Sequence, residues 1–342
     1  MILLPAQQIN MQSIIRIGTR ESELAVWQAT LVKDMLASYG HSAELVFIKS
    51  EGDIDLKTPL YEMGVQGIFT RSLDIALLNN KVDIAVHSMK DVPIQLPVGI
   101  VQAAVLERGN YRDLFVFNSE WSIVNSENKQ DSIDLTVFLD SLKISKLSPF
   151  TIHHSLLTVA TSSIRRKAQW LHRYPDHAID NLRGNVNTRL RKLEESNWTG
   201  AIFAAAGLER INLRPVNSIE LDWMLPAPAQ GAIMIACRQD DEISLKATSH
   251  LNHTETEQCT KVEKDFLKAL LGGCSTPISA LALADRNDIY FRGSILSIDG
   301  KQKAEIEKHV KKEGLDGFGK KMAIELLKNG GQEIADTIRN GK

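Results

Sequence analysis

Two stretches of the chain alternate short apolar runs with segments of helical period, and this alternation limits the fold more than any other feature. In the first stretch, apolar runs at 13–17, 44–48 and 82–86 alternate with helical patterns at 21–39 and 69–79. In the second, runs at 157–160, 179–182 and 201–205 alternate with helical patterns at 163–171 and 186–195. Strands that alternate with helices favour a parallel or mixed sheet covered by helices, which is the α/β class.

The last third of the chain follows a different pattern. A helix predicted at 254–271 carries an apolar stripe, and Thr254 and Glu257 have the spacing of a capping box at its start. A strand-like run at 289–298 and a helix at 319–327, closed by Gly330 and Gly331, follow. The 342 residues exceed what one hydrophobic core usually serves, so two or three domains are expected.

Charge and composition exclude several classes of function. Lys+Arg is 40 and Asp+Glu is 42, whereas a protein that binds nucleic acid over a broad surface is usually basic. No apolar run approaches the roughly 18 residues of a membrane helix, and the first residues do not resemble a signal peptide. Three cysteines without a CxxC pair fit a reducing compartment. We therefore expect a cytoplasmic protein with no nucleic-acid or membrane partner.

Three segments interrupt the regular pattern. Residues 52–67 contain three glycines and Pro59 and predict a mobile loop. Residues 118–155 are rich in Ser and Asn without a sustained period, which predicts an insertion. Residues 226–231 read PAPAQG and predict a connector that can act as a hinge.

Basic residues cluster between 161 and 191, close to points where a strand precedes a helix. Helix N-termini present free N–H groups to anions, and arginine adds a planar fork that suits a carboxylate or phosphate. For a single arginine, a solvated surface position is the better interpretation; for the whole set, an anion site is favoured. The bases are Arg165, Arg166, Lys167, Arg173, Arg183, Arg189 and Arg191.

Two further positions at strand ends have open interpretations. Arg20 and Ser22 lie at the first strand-to-helix turn, where simple helix capping is the plainer explanation. Asp91, beside Lys90, follows the third strand; it suits proton transfer or stabilisation of a cation, and equally a structural turn. His87, on the same strand, is interpreted as a core histidine without a catalytic role.

Cys274 differs from the other two cysteines. It follows two glycines at a helix end, which leaves its sulfur unshielded and suited to act as a nucleophile. Cys237 lies in an apolar run and fits the usual pattern of a small buried residue. The sequence predicts no metal site, because no cluster of ligands has suitable spacing.

Seven motifs, in order, resemble the porphobilinogen deaminase family over nearly the whole chain from about Ser13 onward. These are RIGTRESELAVWQA (16–29), VDIAVHSMKDVP (82–93), TSSIRRKAQ (161–169), LRGNVNTRL (182–190), AAAGLERI (204–211), PAQGA (228–232) and LGGCSTPI (271–278).

The resemblance implies an α/β fold with two lobes like those of type II periplasmic binding proteins and a smaller α/β C-terminal domain. The chain would cross between the lobes twice. With the motifs as guides, domain 1 is expected at residues 1–108 with 232–250, domain 2 at 109–231 with the insertion, and domain 3 at 251–342. The family also implies a monomer.

The resemblance further implies a transferase of porphyrin and heme biosynthesis. Such enzymes join four porphobilinogen molecules head to tail, with loss of ammonia, to the linear tetrapyrrole hydroxymethylbilane. A dipyrromethane cofactor, attached by a thioether to a cysteine, primes the chain. Each pyrrole carries an acetate and a propionate, which explains many arginines; a carboxylate would stabilise the azafulvenium cation left when ammonia departs.

Residue roles follow by position in the motifs. Cys274 matches the cofactor-bearing cysteine and Asp91 the catalytic aspartate. The matches to cofactor-binding side chains are Lys90, Thr161, Ser163, Arg165, Arg166, Arg183 and Arg189. The matches to substrate-binding side chains are Arg20, Ser22 and Arg210, together with Arg165 and Arg189.

Two departures from the family pattern leave alternatives open. Glu62 and Gln66 stand where many relatives carry lysines in the mobile loop, and Arg71–Ser72 replaces a common Lys–Glu. The insertion is also longer than usual. Besides the active deaminase, the sequence is compatible with a catalytically silent homologue or with an anion-binding, receptor-like module of two lobes.

Overall fold

The computed structural model describes residues 14–49, 70–119, 157–270 and 276–340. The predicted loop at 52–67, the predicted insertion beyond Ser119, and Cys274 lie outside the described residues. Among the helices of the described part, none has the length and apolar character needed to cross a lipid bilayer.

The described strands and helices follow one another in an order that begins with alternating β and α elements. The strands are β1 (Ile15–Thr19), β2 (Ala43–Phe47), β3 (Ile84–Ser88), β4 (Ile100–Val105), β5 (Asp113–Phe117), β6 (Thr158–Ala160), β7 (Ala178–Asp180), β8 (Gly200–Ala204), β9 (Ser218–Glu220), β10 (Ile233–Arg238), β11 (Ile278–Asp285), β12 (Asp288–Leu296) and β13 (Lys303–Lys311). The α-helices are α1 (Glu23–Ser38), α2 (Arg71–Leu78), α3 (Ile164–Arg173), α4 (Val186–Glu194), α5 (Ala205–Glu209), α6 (Glu242–Ser249), α7 (Thr254–Leu270), α8 (Phe318–Leu326) and α9 (Gln332–Asn340).

Two five-stranded sheets share one topology and form the two lobes. The first has the order β2-β1-β3-β10-β4, and the second has the order β7-β6-β8-β5-β9. In each sheet three neighbouring strands are parallel, and the fourth pairs antiparallel with the third. The predicted α/β class with two lobes is confirmed, and both sheets are mixed. The predicted likeness of the lobes to periplasmic binding proteins stays a prediction.

Two segments connect the lobes and run side by side. The first crossover, residues 106–112, leaves the first sheet after β4; the second crossover, residues 221–232, returns to it at β10. Gly109 N donates to Gly231 O at 3.0 Å. A side chain on Gly231, whose φ is +87°, would lie 2.7 Å from the Gly109 carbonyl oxygen, so the close approach requires glycine there.

The C-terminal part, described over 251–270 and 276–340, is an antiparallel sheet of order β11-β12-β13 with helices against it. Its core joins the apolar stripe of α7 to side chains of the sheet and of α8 and α9. The stripe predicted in this helix is confirmed, since Val262, Phe266, Leu267 and Leu270 are all buried. The residue boundaries of the three domains stay a prediction.

One local prediction was wrong. The predicted capping box does not form, because Glu257 accepts hydrogen bonds from Gln102 and Asn252 while His253 Nδ1 accepts from the backbone N–H of Thr256. The helix predicted at 319–327 is present as α8, and Gly330, with φ +94°, lies in the kink that follows it; α9, after this kink, was not predicted. In α1 the buried residues are Ala25, Gln28, Ala29, Val32 and Leu36. Trp27, Leu31 and Met35 of the same helix are partly buried against this core.

Candidate active site

A cleft between the two lobes lies at the carboxyl ends of their parallel strands, where open α/β sheets bind ligands. Residues of both lobes, of the second crossover and of the C-terminal domain line it. Every described residue of the predicted site is among them: Arg20, Ser22, Lys90, Asp91, Thr161, Ser163, Arg165, Arg166, Arg183, Arg189 and Arg210.

The first turn of α3 places two arginines in the second-lobe wall of the cleft. Ser163 is the N-cap of this helix, and its hydroxyl accepts from Arg166 N at 3.4 Å. Thr161 Oγ1 in turn accepts from Ser163 N at 3.2 Å, which orders the residues ahead of the helix. Arg165 and Arg166 are each 5% exposed. The helix start therefore holds the two guanidiniums inside the protein rather than on a solvated surface.

Both guanidiniums pair with one buried carboxylate. Asp113 Oδ2 lies 2.8 Å from Arg165 Nη2, and Oδ1 lies 2.7 Å from Arg166 Nη2. Burial alone would raise the pKa of Asp113, but the two guanidiniums lower it to about 2. Burial lowers the pKa of Arg165, although Asp113 opposes this, and an arginine stays protonated at neutral pH. The cluster therefore carries one surplus positive charge.

The start of α4 places two more arginines beside this cluster. Asn185 caps the helix by accepting from Thr188 N at 2.9 Å. Arg189 Nε donates to the Gly184 carbonyl at 2.7 Å, which orients its guanidinium, and Arg183 is 4% exposed. Burial, with help from the Arg166 charge, lowers the pKa of Arg189 to about 10, and Asp91 of the other lobe opposes this. Charges of the two lobes thus interact across the cleft.

The first-lobe wall is formed by the end of β3 and the 3₁₀ turn Met89–Asp91. Lys90 and Asp91 are half-buried in this turn. Burial lowers the pKa of Lys90 to about 8; the carboxylates of Asp91 and Asp113 raise it, while Arg165 and Arg166 lower it. Lys90 is therefore a cation whose charge is sensitive to pH just above neutrality.

The remaining predicted residues lie at the turn before α1 and at the end of α5. Ser22 is the N-cap of α1 but makes no side-chain capping bond, and Arg20 precedes it in the cleft wall. Arg210 Nη2 donates to the Gly231 carbonyl at 2.7 Å, and its guanidinium lies over the ring of Trp27. Burial lowers the pKa of Arg210 to about 10, so it remains protonated at neutral pH.

Two of the three cysteines are poor nucleophiles in this structure. Cys237 and Cys259 are 0% and 5% exposed. Burial raises the pKa of the Cys237 thiol to about 11 and that of the Cys259 thiol to about 12. Neither lines the cleft, whereas Thr276, two residues after Cys274 in the chain, does.

The charges of the cleft suit a ligand with several carboxylates. Acidic side chains among the described lining residues are Glu23 and Asp91. Cationic ones are Arg20, Lys90, Arg165, Arg166, Arg183, Arg189 and Arg210. The buried Nε of Arg165 also has no hydrogen-bond partner among the described residues. This donor set fits dipyrromethane, whose two pyrrole rings carry acetate and propionate groups.

Four polar residues of this region were not predicted from the sequence. Gln28 of α1 donates to Ser88 Oγ at 2.9 Å, and both line the cleft. Gln230, in the second crossover, donates to Asp113 at 2.9 Å. The one sequence signal for Asp113 is weak, because an acidic residue directly before an apolar run such as Leu114–Phe117 usually lies in a solvated turn.

Comparison with solved structures finds similar chains at low sequence identity. The VFT2 domain of Bordetella pertussis BvgS (double mutant F375E/Q461E) is 10% identical, with a TM-score of 0.39, over 69% of this chain and 85% of that chain. The methionine-binding protein MetQ is 14% identical, with a TM-score of 0.39, over 69% and 89%. YtmK of Bacillus subtilis, described as the probable amino-acid ABC transporter extracellular-binding protein, is 13% identical, with a TM-score of 0.35, over 70% of this chain and 91% of that chain.

Two family models match the sequence, and together they span most of it. Porphobilinogen deaminase, dipyromethane cofactor binding domain, matches residues 15–246. Porphobilinogen deaminase, C-terminal domain, matches residues 257–328. Because the matches include both parts of the enzyme, they do not favour a receptor-like module. The chain belongs to the porphobilinogen deaminase family, the hydroxymethylbilane synthases, which are transferases that join four porphobilinogen molecules into a linear tetrapyrrole.

Proposed function

We propose that the cleft between the lobes binds both the dipyrromethane cofactor and the incoming porphobilinogen, and that the condensation takes place beside Asp91. The observation that supports this most is the excess of cationic side chains around one turn that bears a carboxylate. When bound, dipyrromethane supplies the free pyrrole carbon from which the product is extended.

The arginines hold carboxylates in this proposal. Arg165, Arg166, Arg183 and Arg189 of the second lobe, with Lys90, Thr161 and Ser163, bind the cofactor. Arg20, Ser22 and Arg210, together with Arg165 and Arg189, bind the substrate. A guanidinium matches the two oxygens of a carboxylate, and a partly buried pair of this kind is stronger than a surface one.

Asp91 acts as the catalytic carboxylate in this proposal. It lies at the end of β3, on the cleft, and is the acidic residue of the first-lobe turn. The cationic side chains around it cannot stabilise the cation that porphobilinogen becomes on losing ammonia, whereas a carboxylate can. In this role the Asp91 carboxylate also accepts a hydrogen bond from a pyrrole N–H or carries a proton.

Cys274 is the proposed point of covalent attachment. The thiols of Cys237 and Cys259 are buried, with raised pKa values, so neither supplies a reactive thiolate readily. Cys274 lies in the short segment between Leu270, which ends α7, and Thr276, which lines the cleft.

Intact-mass measurement of the expressed protein tests the proposal. We expect the wild-type chain to carry a covalent dipyrromethane and the Cys274→Ala variant to lack it. Cys237→Ala, which removes a buried thiol, is the matched control and should keep the adduct. Peptide mapping that places the adduct on Cys237 or Cys259, or a wild-type chain without any adduct, would contradict the proposal.

A further inference from the structure

The two arginines of α3 share a buried carboxylate to which the proposed function gives no role. Asp113, at the start of β5, is 0% exposed, and it is not among the described residues that line the cleft. Besides its contacts with Arg165 and Arg166, it accepts from Gln230 Nε2 of the second crossover at 2.9 Å. The carboxylate therefore lies behind the cleft wall and contacts the groups that form it.

These contacts fix the orientation of both guanidiniums. Arg166 donates from Nε to Asp113 at 3.1 Å, from Nη2 to the same oxygen at 2.7 Å, and from Nη1 to the Ile202 carbonyl at 2.9 Å. Arg165 pairs with Asp113 at 2.8 Å and donates from Nη1 to the Leu225 carbonyl at 2.8 Å. A planar guanidinium held at two or three nitrogens by hydrogen bonds or ion-pair contacts has little rotational freedom left.

The charges of Asp113, Arg165 and Arg166 also favour a fixed arrangement of the two guanidiniums. One carboxylate between two guanidiniums prevents the full repulsion of two buried cations. It also leaves one positive charge for a ligand anion. Without Asp113, the two arginines would repel each other and would lose the acceptor that sets their planes.

We propose that Asp113 is a positioning residue for the condensation: it orients Arg165 and Arg166 so that they receive carboxylates of the cofactor and the growing chain. The inference rests on the proposed function, because it concerns arginines to which that function assigns carboxylate binding. Asp113 acts through these arginines and contacts neither substrate nor cofactor.

The first test replaces Asp113 with asparagine, which keeps the shape and removes the charge. We expect the KM for porphobilinogen to rise on the order of tenfold to a hundredfold, the range for loss of charged hydrogen bonds. The kcat of cofactor-loaded enzyme should change less, because carboxylate contacts remote from the reacting atoms are alike in ground and transition states.

Asp83→Asn is the matched control. Asp83 also joins two arginines, since its Oδ1 lies 2.7 Å from Arg16 and 3.4 Å from Arg238, but it is not among the described residues that line the cleft. Its loss should lower stability and leave the KM unchanged. An Asp113→Asn variant with a KM equal to that of the Asp83→Asn control would overturn the positioning role.

If the Asp113→Asn variant does not fold, the same substitution is tested in a second variant, Arg165→Gln. In Arg165→Gln the buried surplus charge is already removed, so adding Asp113→Asn there restores the original balance of one positive charge. The positioning role predicts that the double variant has a higher KM than Arg165→Gln alone, because Arg166 has lost its anchor. Equal KM values for these two variants would refute it.

One further variant separates this inference from the proposed function. If Arg165→Leu/Arg166→Leu keeps normal cofactor loading by intact mass and a normal KM, the carboxylate-binding role itself fails and the inference fails with it. If that variant is impaired while Asp113→Asn matches the Asp83→Asn control, only the positioning role of Asp113 fails.

Discussion

At the scale of single residues, the cleft combines a carboxylate with a lysine whose charge depends on mild changes of pH. Burial lowers the pKa of Lys90 to about 8, with Asp91 and Asp113 raising it and Arg165 and Arg166 lowering it. The Lys90 ammonium is thus charged below about pH 8 and loses its charge above it. Since Lys90 is proposed to bind a carboxylate of the cofactor, the cofactor should be held less well on the alkaline side, and its condensation with porphobilinogen should slow.

The pH dependence of kcat/KM for porphobilinogen tests this role of Lys90. We expect kcat/KM to fall as pH rises through about 8. Lys90→Arg should move this fall upward by about one pH unit or more, because a guanidinium keeps its proton. Lys81→Arg, at an exposed lysine ahead of β3, is the control and should leave the profile unchanged. If kcat/KM fell at the same alkaline pH in the wild type, Lys90→Arg and Lys81→Arg, the loss of the Lys90 charge would not be the cause of the fall.

The position of the arginines and of Asp91 on the cleft could be predicted from the sequence, because each belongs to one of the motifs. Asp113 could not. A carboxylate at the start of a strand is ordinarily a solvated turn residue, and only the three-dimensional arrangement brings Arg165 and Arg166 to it. The same holds for Gln230, whose amide reaches Asp113 only because the second crossover passes behind α3.

At the scale of secondary structure, α3 is held from two sides. Its first turn is bonded to Asp113, and its last turn contacts the C-terminal domain. His172 Nδ1 lies 2.7 Å from the Gly300 carbonyl, and Gln169 Nε2 donates to Ser279 Oγ at 3.1 Å. The hairpin between β12 and β13 therefore supports the helix that carries the two arginines.

Gly300→Ala should weaken this support. Gly300 has φ +74°, and an added Cβ would lie 2.6 Å from the Ala168 carbonyl and from the His172 backbone nitrogen. We expect a loss of about 3 kcal/mol in the free energy of unfolding, from backbone strain and from the clash with α3. Gly317→Ala is the matched control: its φ is +66° with no atom within 4 Å of the added Cβ, so about 1 kcal/mol is expected. If denaturant titrations gave equal losses in the free energy of unfolding for Gly300→Ala and Gly317→Ala, the contact between the hairpin and α3 would not contribute to stability.

Elements with a clear apolar period could be predicted, and those without one could not. The helical patterns of α2, α3 and α7 were found within two residues of their bounds. β13 was missed because it is an outer strand whose exposed face is charged, with Ala304 and Ile306 as its buried residues. β10 was missed as a strand because its apolar run is unbroken, as is typical of a strand in the middle of a sheet. Such a run shows no alternation of apolar and polar residues.

At the scale of the whole molecule, one buried ion pair joins the C-terminal domain to both crossovers. Glu263 of α7 is 0% exposed, and its Oε1 lies 2.6 Å from Arg108 Nη1 of the first crossover. It also accepts from Ala229 N of the second crossover at 2.6 Å and from Ala282 N of its own sheet at 2.7 Å. Sequence reasoning located the PAPAQG connector but not this contact, which unites residues more than 30 positions apart.

Glu263→Gln should destabilise the protein strongly. It leaves the Arg108 guanidinium buried without a counter-charge, which typically costs about 3–5 kcal/mol. Lys261→Ala removes an exposed ion pair with Asp265 on the same helix and should cost no more than about 1 kcal/mol. Adding Arg108→Met to Glu263→Gln should recover part of the loss, since no buried charge then remains. Losses of the same size for Glu263→Gln and Lys261→Ala would contradict this assignment.

The most direct test of the proposed chemistry is single-turnover kinetics of Asp91→Asn on protein that already carries its cofactor, as established by intact mass. Asparagine keeps the size of the side chain and removes both the negative charge and the proton acceptor. We expect folded, loaded protein whose rate of porphobilinogen incorporation falls by about two orders of magnitude or more, with Asp91→Glu retaining more activity. A near-normal rate for loaded Asp91→Asn would contradict the account and move the catalytic role to another residue.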